Sequence, residues 1–239
     1  MKVSIIIPVY NDEKYIGRSI QSALNQDFPL NEFEIIVVND GSTDLTTEVV
    51  RGFGNKIKLI NQKNMGPVRA ANAGFRVAVG DYVVKLDSDD YFEKNLLSTE
   101  AKILDTIPEV DFVYSNYYEE FGGRKKEVYV DGNVFKTVAI GTMFRRDKFM
   151  KVGFYNEDVF FAEYDIFLRN PGWRGHCISK PLFTYFRRVK SLTGDSFKID
   201  YAIQELKRLY PESMERIKSI RGYQLGENIT LQTSNDHVL

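Results

Sequence analysis

The sequence predicts an α/β fold with a Rossmann-like, mainly parallel sheet flanked by helices. Three features predict it. Short apolar runs alternate with helical segments over about the first ninety residues. The runs are near-continuously β-branched, as in strands buried on both faces of a parallel sheet. Each run also ends on a polar cluster, and such sheets bind ligands at the carboxyl ends of their strands.

The first strand is Val3–Pro8, followed by a helix over Glu13–Asn25. Phe33–Asn39 (Phe-Glu-Ile-Ile-Val-Val-Asn) is the second strand. A helix over Thr43–Phe53 follows, with Ser42 or Thr43 as its N-cap. Ile57–Asn61 is a short strand, and Val68–Ala78 a helix whose first turn suits Pro67. Asp81–Leu86 closes this series. The remainder is less regular: a helix at Lys94–Thr106, a strand at Asp111–Tyr117, a turn at Phe121–Arg124 and a return strand at Lys125–Val130. Gly141–Phe144 reads as a strand, Glu163–Arg169 as a helix ended by Pro171-Gly172, Leu182–Arg188 as a strand and Ser196–Tyr210 as a helix. The segment after Gly226 has the composition of a frayed tail.

Composition narrows the function classes. A net charge of −1 argues against a nucleic-acid or polyanion binder. The single cysteine, Cys177, excludes an internal disulfide and a cysteine zinc cluster, and it suits a reducing cytosol. The first apolar stretch is too short for a signal peptide, and no run reaches the roughly 18 apolar residues of a membrane span. The expectation is a cytoplasmic protein, with peripheral membrane contact left open. No Walker motif and no Gly-x-Gly-x-x-Gly occurs. His176 and His237 lack partners at metal-ligand spacing.

Five clusters bear chemistry. Asp87-Ser88-Asp89-Asp90 places three carboxylates within four residues at a strand end, where they repel one another and call for a cation. A divalent metal carrying a diphosphate is one answer, since hard cations take oxygen ligands; a solvated acidic loop is the other. An EF-hand fails, because its sixth and twelfth positions hold Phe92 and Ser98 instead of Gly and Glu. Pro8-Val9-Tyr10-Asn11 is either a simple strand exit or a nucleotide cradle with Tyr10 facing a base. In Asn39-Asp40-Gly41-Ser42, a turn and helix cap leave Asp40 unexplained, and its carboxylate could accept the imide N–H of a uracil. Arg69 opens a helix whose small residues suit close packing, and a phosphate sits readily there. Glu163, at the start of another helix, is either a dipole-favouring cap or a general base, with Asp165 as a second candidate.

The order of these motifs closely resembles glycosyltransferase family 2. It runs Ile-Ile-Ile-Pro8-Val-Tyr10-Asn, Val-Val-Asn-Asp40-Gly-Ser, Asn64-x-Gly-Pro, Gly80-Asp-Tyr, Leu-Asp87-Ser-Asp89-Asp and Glu163-Tyr-Asp-x-x-Leu-Arg. The likeness is strong to about residue 100 and looser to about 195. It implies a GT-A fold and an inverting, metal-dependent hexosyltransferase acting from a nucleotide-diphosphate sugar, with UDP expected, to a saccharide or lipid-linked hydroxyl. By that resemblance Tyr10 flanks the base, Asp40 bonds its N3, Asp89 ligates Mn²⁺ or Mg²⁺, Asp87 holds the ribose or the outer metal shell, and Glu163 is the base. One catalytic domain over 1–226 follows: a nucleotide half (1–90), an acceptor half (91–195), a helical segment (196–226), and then a disordered tail at 227–239. Two departures stand out. Ala162-Glu163 replaces the usual Glu-Asp, and Arg188 takes the place of a family histidine. Arginine grips diphosphate through its fork but is a poor metal ligand.

Two rivals remain. A sugar nucleotidyltransferase would need a basic Gly-rich loop after the first strand, where this chain has Asn11-Asp12-Glu13. An inactive sugar-nucleotide binder would share the fold. The stripe Ile199, Ile203, Leu206 and Leu209, with Lys198, Lys207 and Arg208 nearby, suits either packing on the domain or resting on a membrane with a lipid-linked acceptor.

Overall fold

The structure, a computed structural model, describes residues 1–138, 140–188 and 196–220. Its elements are β1 (Val3–Val9), α1 (Ile16–Leu24), β2 (Phe33–Asn39), α2 (Thr46–Arg51), β3 (Lys58–Asn61), α3 (Pro67–Val77) and β4 (Tyr82–Lys85). There follow β5 (Tyr91–Phe92), α4 (Leu96–Thr106), β6 (Phe112–Phe121), β7 (Arg124–Val128), β8 (Met143–Arg145) and α5 (Arg146–Lys151). The chain continues through α6 (Ala162–Arg169), β9 (Gly175–Phe186), α7 (Ser196–Leu209) and α8 (Met214–Lys218).

Among the described residues the strands form one nine-stranded sheet ordered β3-β2-β1-β4-β8-β6-β9-β5, with β7 on β6. The first four strands are parallel. The remainder is mixed: β8 runs antiparallel to β4 and β6, whereas β9 is parallel to β6. Every residue of β1 is buried, which is why its sequence is apolar without alternation. The chain steps outward from β1 to β3 and then returns past β1 to β4. With right-handed crossovers, that reversal puts α3 on the opposite face from α1 and α2 and creates a switch point between β1 and β4. Register aligns the edge where ligands would bind. Val9 pairs with Asn39 and Asn39 with Asn61, while the Leu86 N–H donates to the Ile6 carbonyl. Tyr10, Asp40 and the acidic loop therefore emerge side by side.

Helix α3 lies close on the sheet because it is small-residued there: a Cβ on Gly74 would fall 2.6 Å from Ile6 Cγ2. A phenylalanine cluster welds the two halves. Phe75 of α3 packs 4.8 Å from Phe149 of α5, Phe149 is 4.8 Å from Phe144 of β8, and Phe167 of α6 is 4.8 Å from Phe112 of β6.

The structure refines several expected bounds. Helix α1 begins at Ile16 rather than Glu13, because Asn11 is left-handed (φ 49°) and the Asp12 carbonyl first accepts the N–H groups of Tyr15 and Ile16. Strand β9 begins seven residues earlier than expected, at Gly175, since it pairs with β6 along most of its length. Strand β5 and helix α5 were not expected. Of the stripe on α7, Ile199, Ile203 and Leu206 are buried and pack on the domain, whereas Leu209 is exposed. The expected tail at 227–239 lies outside the described residues. No helix among the described residues is long and apolar enough to cross a membrane.

Candidate active site

A cleft of about 870 Å³ opens at the carboxyl edge of the parallel strands. Pro8, Tyr10, Asp40, Arg69, Asp87, Asp89, Glu163 and Arg188 all line it, so residues 180 positions apart in sequence meet there. Pro8 is buried in β1 opposite Val38, and Tyr10 is exposed at the strand exit. The loop carrying Tyr10 is tied to the loop after β2. Asn11 N–H donates to Ser42 Oγ (3.0 Å), Thr43 N–H to Asn11 Oδ1 (2.7 Å) and Asp12 N–H to Thr46 Oγ1 (2.8 Å).

Asp40 is buried beneath the cleft floor. Its Oδ1 accepts from Gln62 Nε2 (2.7 Å) and the Met65 N–H (2.9 Å), and its Oδ2 accepts from the Gly66 N–H (2.9 Å). The carboxylate thus shapes the Gln62–Gly66 loop and retains one oxygen with spare accepting capacity. Arg69, expected near a phosphate, is held at the rim by Glu157 (3.2 Å). Glu157 also accepts from Asn72 (3.0 Å) and Arg76 (2.7 Å), and these bonds hold its carboxyl below the usual range.

The acidic loop is built from both sides. Arg18 Nη2 donates to the Asp89 carbonyl (2.7 Å), and Ser19 Oγ to the Asp87 carbonyl (3.1 Å). The three acids have separate lives. Asp90 is buried and accepts the Phe186 N–H (2.7 Å), fastening the loop to the end of β9. Burial, with Asp89 and Asp87 next, holds its carboxyl well above the ordinary value. Asp89 Oδ2 meets Arg188 Nη2 at 2.5 Å, while Arg188 Nη1 reaches Asp12 Oδ1 at 2.9 Å. Burial pushes the Asp89 carboxyl up to about 6; Arg188 opposes this, and Asp87 and Asp12 add to it. Asp87 Oδ1 lies 3.1 Å from Lys85 Nζ.

Lys85 joins the two ends of the chemistry. Its ammonium also donates to Glu163 Oε1 at 2.6 Å. Burial alone would pull this lysine down, but the Asp87 and Glu163 carboxylates outweigh it and hold it well above its ordinary value. Glu163 therefore faces the acidic loop across one ammonium. Asp165, the second candidate base, does not line the cleft. It is buried with Arg169 Nε at 2.9 Å and accepts the Tyr210 hydroxyl at 2.5 Å, locking α6 to the segment after α7.

Asp89 and Asp87 offer hard oxygen donors of the kind Mn²⁺ and Mg²⁺ take, and such ions commonly bind one or two carboxylates plus phosphate and water. No group of three or more metal-binding side chains converges among the described residues, so the remaining ligands would come from diphosphate and water.

Residues 4–170 match the family model described as glycosyl transferase family 2. The chain belongs to that family. Among its family 2 relatives is the poly(ribitol-phosphate) β-N-acetylglucosaminyltransferase TarS of Staphylococcus aureus strain Mu50. TarS is 41% identical over 109 residues, which cover 44% of this chain and 19% of TarS. The glycosyltransferase GlyA of Streptococcus pneumoniae serotype 4 is 37% identical over 120 residues, 49% of this chain and 17% of GlyA. The match thus spans less than a fifth of either relative. The crystal structure of TarS 1–349 superposes with a TM-score of 0.68 at 27% identity, covering 87% of this chain and 66% of that one. The same protein has been solved with UDP and with UDP-GlcNAc. The mannosyltransferase PcManGT of Pyrobaculum calidifontis, solved with GDP-Man and Mn²⁺, gives a TM-score of 0.70 at 17% identity over all of this chain and 76% of its own, a likeness of fold. The fold is GT-A, as the motif order implied.

Sequence reasoning about this family 2 member missed Asp12 and Lys85. Lys85 had a signal: a lysine inside the apolar run Tyr82-Val83-Val84-Lys85-Leu86 must find a partner if the strand is buried. Asp12 had none, since an acid after a strand exit looks like any turn residue.

Proposed function

We propose that this chain transfers a sugar from a UDP-linked donor to a hydroxyl acceptor with inversion at the anomeric carbon. The observation that carries the reading is the Lys85 ammonium between Asp87 and Glu163, which brings the candidate base and the donor-side acids into one cleft. The UDP and UDP-GlcNAc complexes of TarS support uridine as the base.

In this reading Tyr10 flanks the base, Asp40 sets the loop that frames it and accepts its imide N–H, and Asp87 holds the ribose or the outer metal shell. Arg188 grips the diphosphate, and Arg69 steadies the rim. Glu163 takes the proton of the acceptor hydroxyl as that oxygen bonds to the anomeric carbon. The bond from that carbon to the diphosphate oxygen breaks, and the electron pair leaves with the nucleoside diphosphate. A divalent ion held by Asp89 would supply positive charge to the leaving diphosphate.

Titration calorimetry with UDP, GDP and TDP in the presence of Mn²⁺ tests the reading. UDP is expected to bind, and Asp89→Ala to lose the metal-dependent part of that binding. If none of the three nucleotides binds, the reading is wrong.

Phe160, Phe161 and Tyr201 also line the cleft, with Phe160 and Tyr201 exposed. Flat aromatic faces beside a general base suit the apolar face of a saccharide ring, which favours a sugar acceptor. Tyr201→Ala is expected to raise the acceptor KM several-fold, an effect of about 1 kcal/mol, with UDP binding unchanged. Equal loss of both would assign Tyr201 to folding instead.

A further inference from the structure

We propose that Arg188 is a latch: it neutralises the acidic cluster while the donor site is empty, and it lets a divalent ion onto Asp89 only together with a diphosphate. The inference rests on the nucleotide-diphosphate reading above and adds an order of binding to it.

Three observations carry it. The guanidinium bridges two carboxylates at once, Asp12 at 2.9 Å and Asp89 at 2.5 Å. It is anchored where it stands, since its Cζ lies 5.0 Å over the Tyr15 ring and the Asp90 carboxylate clasps the Phe186 N–H two residues before it. The neighbouring acids are also engaged: Asp12 Oδ2 accepts from Ser88 Oγ (2.5 Å), and Asp87 is paired with Lys85 (3.1 Å).

The cation that the acidic run called for is therefore supplied by the chain itself. A guanidinium donates hydrogen bonds and offers a metal no lone pair, and its positive charge opposes a divalent ion brought onto the same carboxylate. A bare ion arriving alone would either face that charge or have to break both of the carboxylate contacts that hold Arg188. A diphosphate changes that balance. Arginine pairs bidentately with phosphate, so the fork can leave Asp12 and Asp89 for the incoming oxygens and free a carboxylate oxygen for the ion. Metal and nucleotide should then bind with positive coupling, and by linkage each tightens the other by the same factor.

The test uses the full chain, with Mn²⁺ as the ion, UDP as the nucleotide, and free Mn²⁺ followed by electron paramagnetic resonance. In wild type, saturating UDP is expected to tighten Mn²⁺ binding by about 5–150-fold, the usual range of such couplings. Arg188→Gln is expected to bind Mn²⁺ without UDP about tenfold more tightly than wild type, and to lose most of the coupling. Thermal melting establishes that the variant is folded. Should it fail to fold, Arg188→Lys replaces it, because one ammonium spans one carboxylate instead of two.

Two results would overturn the latch. One is wild-type Mn²⁺ affinity that is equal with and without UDP while UDP binds. The other is a folded Arg188 variant that binds Mn²⁺ alone no better than wild type. If UDP fails to bind wild type at all, the nucleotide reading falls, while the Mn²⁺ affinity of the Arg188 variant still judges the latch separately.

Discussion

Glu163→Gln is expected to lower sugar transfer by about 10²–10⁴-fold, the usual contribution of a positioned general base, and to leave UDP binding within twofold of wild type, about 0.4 kcal/mol. The amide has the shape of the carboxylate and can still accept the Lys85 hydrogen bond through its oxygen. It cannot take a proton from an acceptor hydroxyl. Asp87 remains beside Lys85 at 3.1 Å, so the ammonium keeps one counter-charge and the strand end stays formed. The variant therefore separates proton transfer from structure. Transfer rates with UDP-GlcNAc, measured beside calorimetric titration of UDP, give both numbers. Undiminished transfer would remove Glu163 as the base. Asp165 would not be the natural replacement, because it lies buried between Arg169 and Tyr210.

The nucleotide half was legible because its signals are local. A run such as Phe33–Asn39 has one comfortable conformation, and the observed β2 has the expected bounds. Polar residues at the ends of such strands share one edge, and Tyr10, Asp40 and Asp87 therefore belong together from the sequence alone. What was not legible was the pairing of charges across long separations. Arg69 looked free for a phosphate, yet Glu157, 88 residues later, holds it. Arg188, at the donor side of the cleft, also closes on Asp12, 176 residues away. The second half was harder for a different reason. Helix α5 is Arg-Asp-Lys-Phe-Met-Lys, a sequence whose charges suggest a loop, and Phe149 alone buries it. Strand β9 opens with exposed and half-exposed residues and has no apolar run to announce its start. Its place is set by pairing with β6, a tertiary fact that outweighs local preference.

Lys85→Met carries the largest expected cost to stability, about 3 kcal/mol, at the lower end of the range for breaking a buried ion pair. The lower end applies because Lys85 is buried but Asp87 and Glu163 both keep some contact with water. Methionine fills the volume and removes the charge, so two carboxylates at the cleft floor lose the cation between them and repel each other. For a chain of this length the melting temperature should fall by about 6–12 °C. The pH dependence has a definite sign. Lys85 titrates above its ordinary value of 10.5 in the folded state. Its stabilisation is therefore complete below that value and is lost only as pH rises through the folded value. The gap between wild type and variant should stay constant from about pH 6 to 9 and narrow only in strong alkali. A drop in melting temperature below about 2 °C, the equivalent of under 1 kcal/mol, would show that water already screens this pair. The two variants also test each other. If Lys85 acts through Glu163, adding Glu163→Gln to Lys85→Met should recover part of the lost stability, since the repulsion with Asp87 is then gone. Simple addition of the two effects would mean that Lys85 supports Asp87 alone.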